Sequence, residues 1–163
     1  MPERIFDQRE FRKTLGQFAT GVTVVTTNDK NGLPVGMTCS SFNSLSMDPP
    51  MVLWSIAKSA FGLAAFSQAQ YFNVHVLCSD QDKVSNDFAR SGHDKFKDIR
   101  FRKGLGGIPI LDRYAARFEC ETTHQYDGGD HVIMVGTVIA FQHIKNNPLV
   151  FHGGNYTGID SLI

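Results

Sequence analysis

The residues best equipped for chemistry gather in five short stretches. The first, GMTCSSFNSLSMDPP from Gly36 to Pro50, sets Thr38, Ser40 and Ser41 around the thiol Cys39, just before an apolar run. Small polar side chains let a main chain approach a ligand closely; equally, they build a hydroxyl-rich turn between strands. In the second, Lys58 and Ser59 precede an expected helix start, where free N–H groups and the helix dipole favour an anion. An exposed lysine beside an N-cap serine accounts for the same pair. The third, SNDFA, holds Ser85 and Phe88 about one helical turn apart. They can offer a hydroxyl and a ring to one ligand face, or Phe88 can simply anchor a core. In the fourth, His131 follows Gly129-Asp130 at the head of an apolar run, where a lone histidine serves structure as readily as function. The fifth is HGGNY, which places Tyr156 behind two glycines.

Other chemistries find little support. No glycine-rich phosphate loop sits in a strand–turn–helix setting, and no serine is flanked by glycines at nucleophile-elbow spacing. The six histidines form no HxH or HxxxH pair, so metal ligands would have to come from distant parts of the chain. Sixteen basic and 16 acidic residues cancel to a net charge of zero, which argues against nucleic-acid or anionic-membrane binding through bulk charge. The basic run Arg100-Phe101-Arg102-Lys103 reads as a solvated loop, with a contact to a ligand phosphate as its alternative role. Cys39, Cys78 and Cys120 are too scattered for a disulfide framework and read as reduced thiols. The charged start MPERIFDQRE lacks the apolar middle of a signal peptide, and no apolar run approaches the roughly 20 residues of a membrane span. The expected setting is cytoplasmic.

Elements that position these residues follow from periodicity. Asp7 and Glu10 form a capping-box pattern, Phe6 and Phe11 a hydrophobic staple, and Phe11, Leu15 and Phe18 one helix face ending by Gly21. Strands are expected over Val22–Thr27, over LPVGM after the NDKNG turn, over Met51–Ile56 and over Tyr71–Leu77. Short helices are expected from Ser59 through Phe66 and within Ser79–Gly92, and a mobile loop over Gly92–Gly107. ARFECETTHQY and HVIMVGTVIAF flank the turn DGGD as a hairpin. The second arm is apolar on both faces and reads as covered on both sides. With 163 residues, 42% hydrophobic and 20% charged, the chain is sized for one domain over residues 1–163. A mainly β chain with short helices closes economically as a Greek-key barrel with helices outside.

GMTCSSFNSLSMDPPMVLWSI, then KS, SNDFA, GDH and PLVFHGGNY together resemble the short-chain flavin reductase family, from Phe18 to Tyr156. These are FMN-binding split β-barrel proteins, many of them reductase components of two-component monooxygenases. The resemblance implies hydride transfer from NADH or NADPH to FMN or FAD, with the protein supplying binding and stacking order. Nicotinamide C4 would lie near flavin N5, at roughly 3–3.5 Å. Thr38, Cys39, Ser40 and Ser41 would then cradle the ring's polar rim, with Trp54, Ser55 and Ile56 alongside. Lys58 and Ser59 would take the flavin phosphate, while Ser85 and Phe88 would present a hydroxyl and a ring. His131 would position the nicotinamide, with Tyr156 bordering the same site. Cys39 stands where relatives often carry alanine and reads as a small packing residue. Ala60 and Phe61 follow Lys58-Ser59 where relatives commonly add a Ser or Thr, which leaves FMN versus FAD open. The family implies a homodimer, with the strand His131–Phe141 as candidate interface, and a monooxygenase that receives the reduced flavin. Two other readings compete: a flavin-binding module for storage or sensing, and a ligand-free interaction domain.

Overall fold

A computed structural model describes residues 6–92 and 94–159. The first five residues of the charged start, and His93 among the histidines, lie outside that range. The chain opens with α1 (Gln8–Leu15), β1 (Thr20–Gly21), β2 (Thr23–Asn28), β3 (Pro34–Cys39), β4 (Asn43–Met47) and β5 (Pro50–Ala57). There follow α2 (Leu63–Gln68), β6 (Tyr71–Val76), α3 (Asp82–Ala89), β7 (Phe101–Lys103) and β8 (Pro109–Leu111). The long hairpin β9 (Ala116–Gly128) and β10 (His131–His143), then β11 (Val150–His152) and β12 (Asn155–Thr157), complete it.

Seven strands form one antiparallel sheet in the order β3-β2-β6-β9-β10-β5-β4. Its two edge strands, β3 and β4, are consecutive in the chain, joined only by Ser40, Ser41 and Phe42. That link, from Cys39 to Asn43, reaches about 15 Å at about 3.8 Å per Cα step. Six flat inter-strand spacings would span about 29 Å. The sheet therefore has to curl until its edges nearly meet. The result is an open barrel split between β3 and β4, in agreement with the expected fold. Register shifts in the β9–β10 pairing, at Val135/Gly136 and Val138/Ala140, add the local bend that bulges supply. Gly136 is required here, because a Cβ would lie 2.5 Å from the ring of Phe72.

Both faces of the sheet are covered near β2. Val25, Trp54, Ile56, Phe66, Phe72 and Met134 fill the barrel interior, and Val22, Val24, Leu77, Phe88 and Leu149 pack a second cluster. The VTVVTT run serves both clusters, which is why it is β-branched on both faces rather than alternating.

Several sequence expectations need correction. The stretch Gly36–Pro50 is not one loop: it contains the end of β3, a three-residue link and the edge strand β4. Helix α1 carries the Asp7 cap, with Asp7 Oδ1 accepting from Arg9 N at 2.8 Å and Glu10 N at 3.2 Å. The Phe6 and Phe11 rings meet at 5.0 Å as a staple would have them. Glu10, however, pairs with Lys13 instead of closing the box, and the helix stops at Gly16. Phe18 thus leaves the helix face, and Phe11, Leu15 and Phe18 are all exposed on this chain. Part of the expected 92–107 loop is ordered as β7, paired with β8. Coverage of β10 reaches Val138, which packs against the barrel core, and fails from Ile139 on: Ile139 is 53% exposed and Phe141 73%.

Candidate functional site: the split between the sheet edges

Where β3 and β4 part, the main chain of β5 is left without a strand on one side. Pairing between β4 and β5 ends at Asn43↔Leu53, so Ser55 faces the split while β10 holds the opposite edge. Ser41 reaches across this gap. Its Oγ accepts from Ser55 N at 2.9 Å and donates to Ser55 O at 3.2 Å. Successive strand residues direct main-chain groups to alternate edges, so Trp54 and Ile56 turn theirs to β10. Their side chains are fully buried, with Trp54 against Phe66 at 4.9 Å and Phe72 at 5.9 Å. Trp54 and Ile56 are therefore core residues, and of the expected trio only Ser55 reaches the split.

On the facing edge, Thr38 is half-buried and its Oγ1 donates to Ser85 O at 2.6 Å. Cys39 is half-buried, with its Sγ 3.1 Å from Thr23 Oγ1. Burial pushes its thiol pKa up, opposed by hydrogen bonds from Thr23 and from Ser41. That favours the neutral thiol, as expected of a packing residue rather than a reactive one. Ser40 is exposed.

The Lys58-Ser59 pair departs from expectation. Helix α2 starts only at Leu63, with Gly62 at its cap and no side-chain cap, so Ser59 lies in an exposed turn four residues earlier. No helix N-terminus backs an anion there. Lys58 is instead tied to the β9–β10 turn twice: its N–H donates to Asp130 O at 2.9 Å, and its ammonium forms a close ion pair with Asp127. That ammonium holds the Asp127 carboxyl below its usual range. The turn itself is two residues, Gly129-Asp130, with Gly129 at φ 78°, the positive φ that glycine supplies freely. Register sets His131 opposite Ala57, next to Lys58 in sequence, so both basic residues stand at one end of β5. His131 is half-exposed, and its Nδ1 lies 2.7 Å from Asp130 Oδ1.

Helix α3 turns Ser85 and Phe88 inward, both fully buried. Ser85 Oγ lies 2.7 Å from Tyr156 Oη, and Tyr156 Oη donates to Asn86 Oδ1 at 3.1 Å. Tyr156 reaches α3 because β1, β11 and β12 form a small sheet that carries it there. Thr38, Ser85 and Tyr156 are thus one connected chain of contacts. Phe88 packs on Phe96 at 5.0 Å within the second core, and both residues also line a groove beside β3.

A groove of about 500 Å³ opens beside this region. Its walls come from β3 at Met37 and Thr38, the turn at Ala60 and Phe61, and the segment after α3 at Lys95 and Phe96. Of the residues expected at the site, only Thr38 and Phe88 line it; Cys39, Ser40, Ser41, Ser55, Lys58, Ser59, Ser85, His131 and Tyr156 do not. Lys95 is a residue that sequence reading missed: its Nζ donates to Gly36 O at 3.1 Å and Phe88 O at 3.0 Å, and desolvation lowers its pKa. Nothing local marks it, because both acceptors belong to other elements. The groove falls in the size range of small-ligand sites.

Known proteins supply a comparison. A family model described as a flavin reductase like domain matches residues 15–160. The chain is 47% identical over 150 residues to the FMN reductase (NADH) SmoA of Agrobacterium fabrum, covering 92% of this chain and 85% of that protein. Nitrilotriacetate monooxygenase component B from Mycobacterium thermoresistibile superposes with a TM-score of 0.90 at 41% identity, covering 94% of this chain and 87% of that one. The NADH:FAD oxidoreductase SgcE6 of Streptomyces globisporus, solved in complex with NAD and FAD fragments, gives a TM-score of 0.88 at 35% identity. That match covers 93% of this chain and 92% of the other. The chain spans half the length of a further relative from Rhizobium meliloti, 43% identical, covering 96% of this chain and 50% of that protein.

Proposed function

The chain belongs to the flavin reductase-like family, and on that premise we propose that it moves hydride from NADH to FMN or FAD and releases the reduced flavin to a separate monooxygenase. The observation that carries the reading is the split itself. Thr38–Ser41 and Ser55 bring small side chains and strand-edge main chain together across the gap between β3 and β5. When bound, the flavin supplies the hydride-accepting ring, and the protein's part is binding and orientation. Thr38, Cys39, Ser40 and Ser41 hold the polar rim. Lys58, with Ser59 beside it, takes the phosphate as a charged side chain on a turn. His131 has Nδ1 engaged by Asp130, which leaves Nε2 for the reductant. Ser85, Phe88 and Tyr156 support the cradle from behind through the Thr38–Ser85 bond.

A homodimer belongs to the same proposal. Exposed Ile139 and Phe141 on β10, and exposed Phe11 and Leu15 on α1, are large apolar side chains of the kind that mark an interface. Cytoplasmic placement is also part of it, resting on three free cysteines. Among the described residues, no helix is long and apolar enough to cross a membrane.

The test mixes purified protein with NADH and excess FMN and follows absorbance at 340 nm. Loss of many equivalents of NADH per protein is expected. Loss of a single equivalent would replace the reductase with a flavin-holding module, and failure to bind flavin at all would leave an interaction domain.

A further inference from the structure

We propose that Asp127 is an internal competitor for Lys58 and sets how tightly the protein binds a phosphorylated flavin. The inference rests on the reading that Lys58 takes the flavin phosphate. Lys58 is not a free cation awaiting an anion: its ammonium is already engaged by the Asp127 carboxylate, one pair before the end of the β9–β10 hairpin. Its own main chain fixes it there, because the Lys58 N–H donates to Asp130 O at 2.9 Å. The neighbouring carboxylate, Asp130, is held by His131. Asp127 is thus the one acid paired with Lys58 among the described residues.

A phosphate arriving at Lys58 has to displace this carboxylate or share the ammonium with it. The pair is solvent-exposed, with side-chain exposures of 45% for Lys58 and 76% for Asp127. Exposed pairs are weak, so displacement is easy and the effect on affinity is modest. Removing the competitor is therefore expected to tighten phosphorylated flavin by about 2–5-fold, with unphosphorylated riboflavin unchanged. Such a device would keep flavin exchangeable in a protein that has to release it.

The test titrates the full chain with FMN and with riboflavin by flavin fluorescence, for the parent, Asp127→Asn, Lys58→Met and the double variant. Tighter FMN binding in Asp127→Asn, absent in the Lys58→Met background and absent for riboflavin, is the expected result. If Lys58→Met weakens FMN but Asp127→Asn leaves it equal or weaker, the competition is refuted while the phosphate role of Lys58 stands. If the Asp127→Asn gain persists without Lys58, Asp127 acts on the ligand directly and the competition is again refuted. If Lys58→Met leaves FMN affinity unchanged, the phosphate assignment and the competition fall together. Gain of affinity is a readout that misfolding cannot imitate.

Discussion

Gly36→Ala tests how tightly the wall of the groove is held. A methyl built on Gly36 lies 2.6 Å from Phe88 Cε1, 2.8 Å from Phe88 Cδ1 and 3.1 Å from Phe96 Cζ. Contacts that short force a neighbour to move, and the neighbours have little room. Phe88 is fully buried in the second core and packs edge-on against Phe96. Lys95 clamps the backbones of both partners, donating to Gly36 O and Phe88 O. Overpacking of this kind costs about 1–3 kcal/mol. For a chain of this size each kcal/mol lowers Tm by about 2–4 °C, so a fall of roughly 2–12 °C is expected in a circular-dichroism melt. Phe88→Leu removes ring atoms at the point of the clash. The double variant should therefore be more stable than the sum of the two single losses, as expected for residues in contact. A Gly36→Ala melt that coincides with the parent, or strict additivity with Phe88→Leu, would refute the packing argument and with it the assignment of Phe88 to the core.

The remaining predictions concern pH, the reductant and assembly. His75 is fully buried, its Nδ1–H donating to Val24 O at 3.0 Å and its Nε2 accepting from Leu111 N at 3.1 Å, and desolvation lowers its pKa from 6.5 to about 4. The unfolded chain therefore takes up this proton first as pH falls, so stability is kept above pH 6.5 and declines toward pH 4, by up to about 3 kcal/mol. Urea midpoints across that window should show a shallower decline in His75→Gln than in the parent; equal slopes would exclude His75 as their source. His131→Ala should raise KM for NADH while the FMN Kd from fluorescence titration stays put, and equal losses in both would remove its role toward the reductant. Phe141→Lys places a charge on the exposed end of β10 and should convert a dimer to a monomer by light scattering. A parent that is already monomeric would end the dimer proposal.

Much of the framework was legible in the chain because its signals are local. β-Branched runs marked β2, β5 and β6, and DGGD between two strand-like arms, the second of them apolar, marked the β9–β10 hairpin. Asp7 announced the start of α1 by capping groups two and three residues away. The motif residues at the split could be named by resemblance alone. Six short strands escaped notice: β1, β4, β7, β8, β11 and β12 run only two to five residues, too short for a periodicity to register. The end of α1 was also misplaced, because the apolar spacing of Phe18 continued a helix face that the chain leaves at Gly16.

What the sequence determined by itself, then, was the supply of parts: strands, hairpin turns, small hydroxyl residues and a few basic side chains. What only the tertiary structure decided was which of them meet. Thr38 bonds Ser85 across 47 residues, Lys58 meets Asp127 across 69 and Ser85 meets Tyr156 across 71. No local propensity encodes such pairs, since each joins residues of different elements that only the packing of sheet, hairpin and helix brings together. The curl of the sheet sent Trp54 and Ile56 into the core and left Ser55 at the split, although the three are neighbours in sequence. A strand alternates its side chains between faces and its main-chain groups between edges, and only the closing of the barrel decided which edge and which face a ligand could reach.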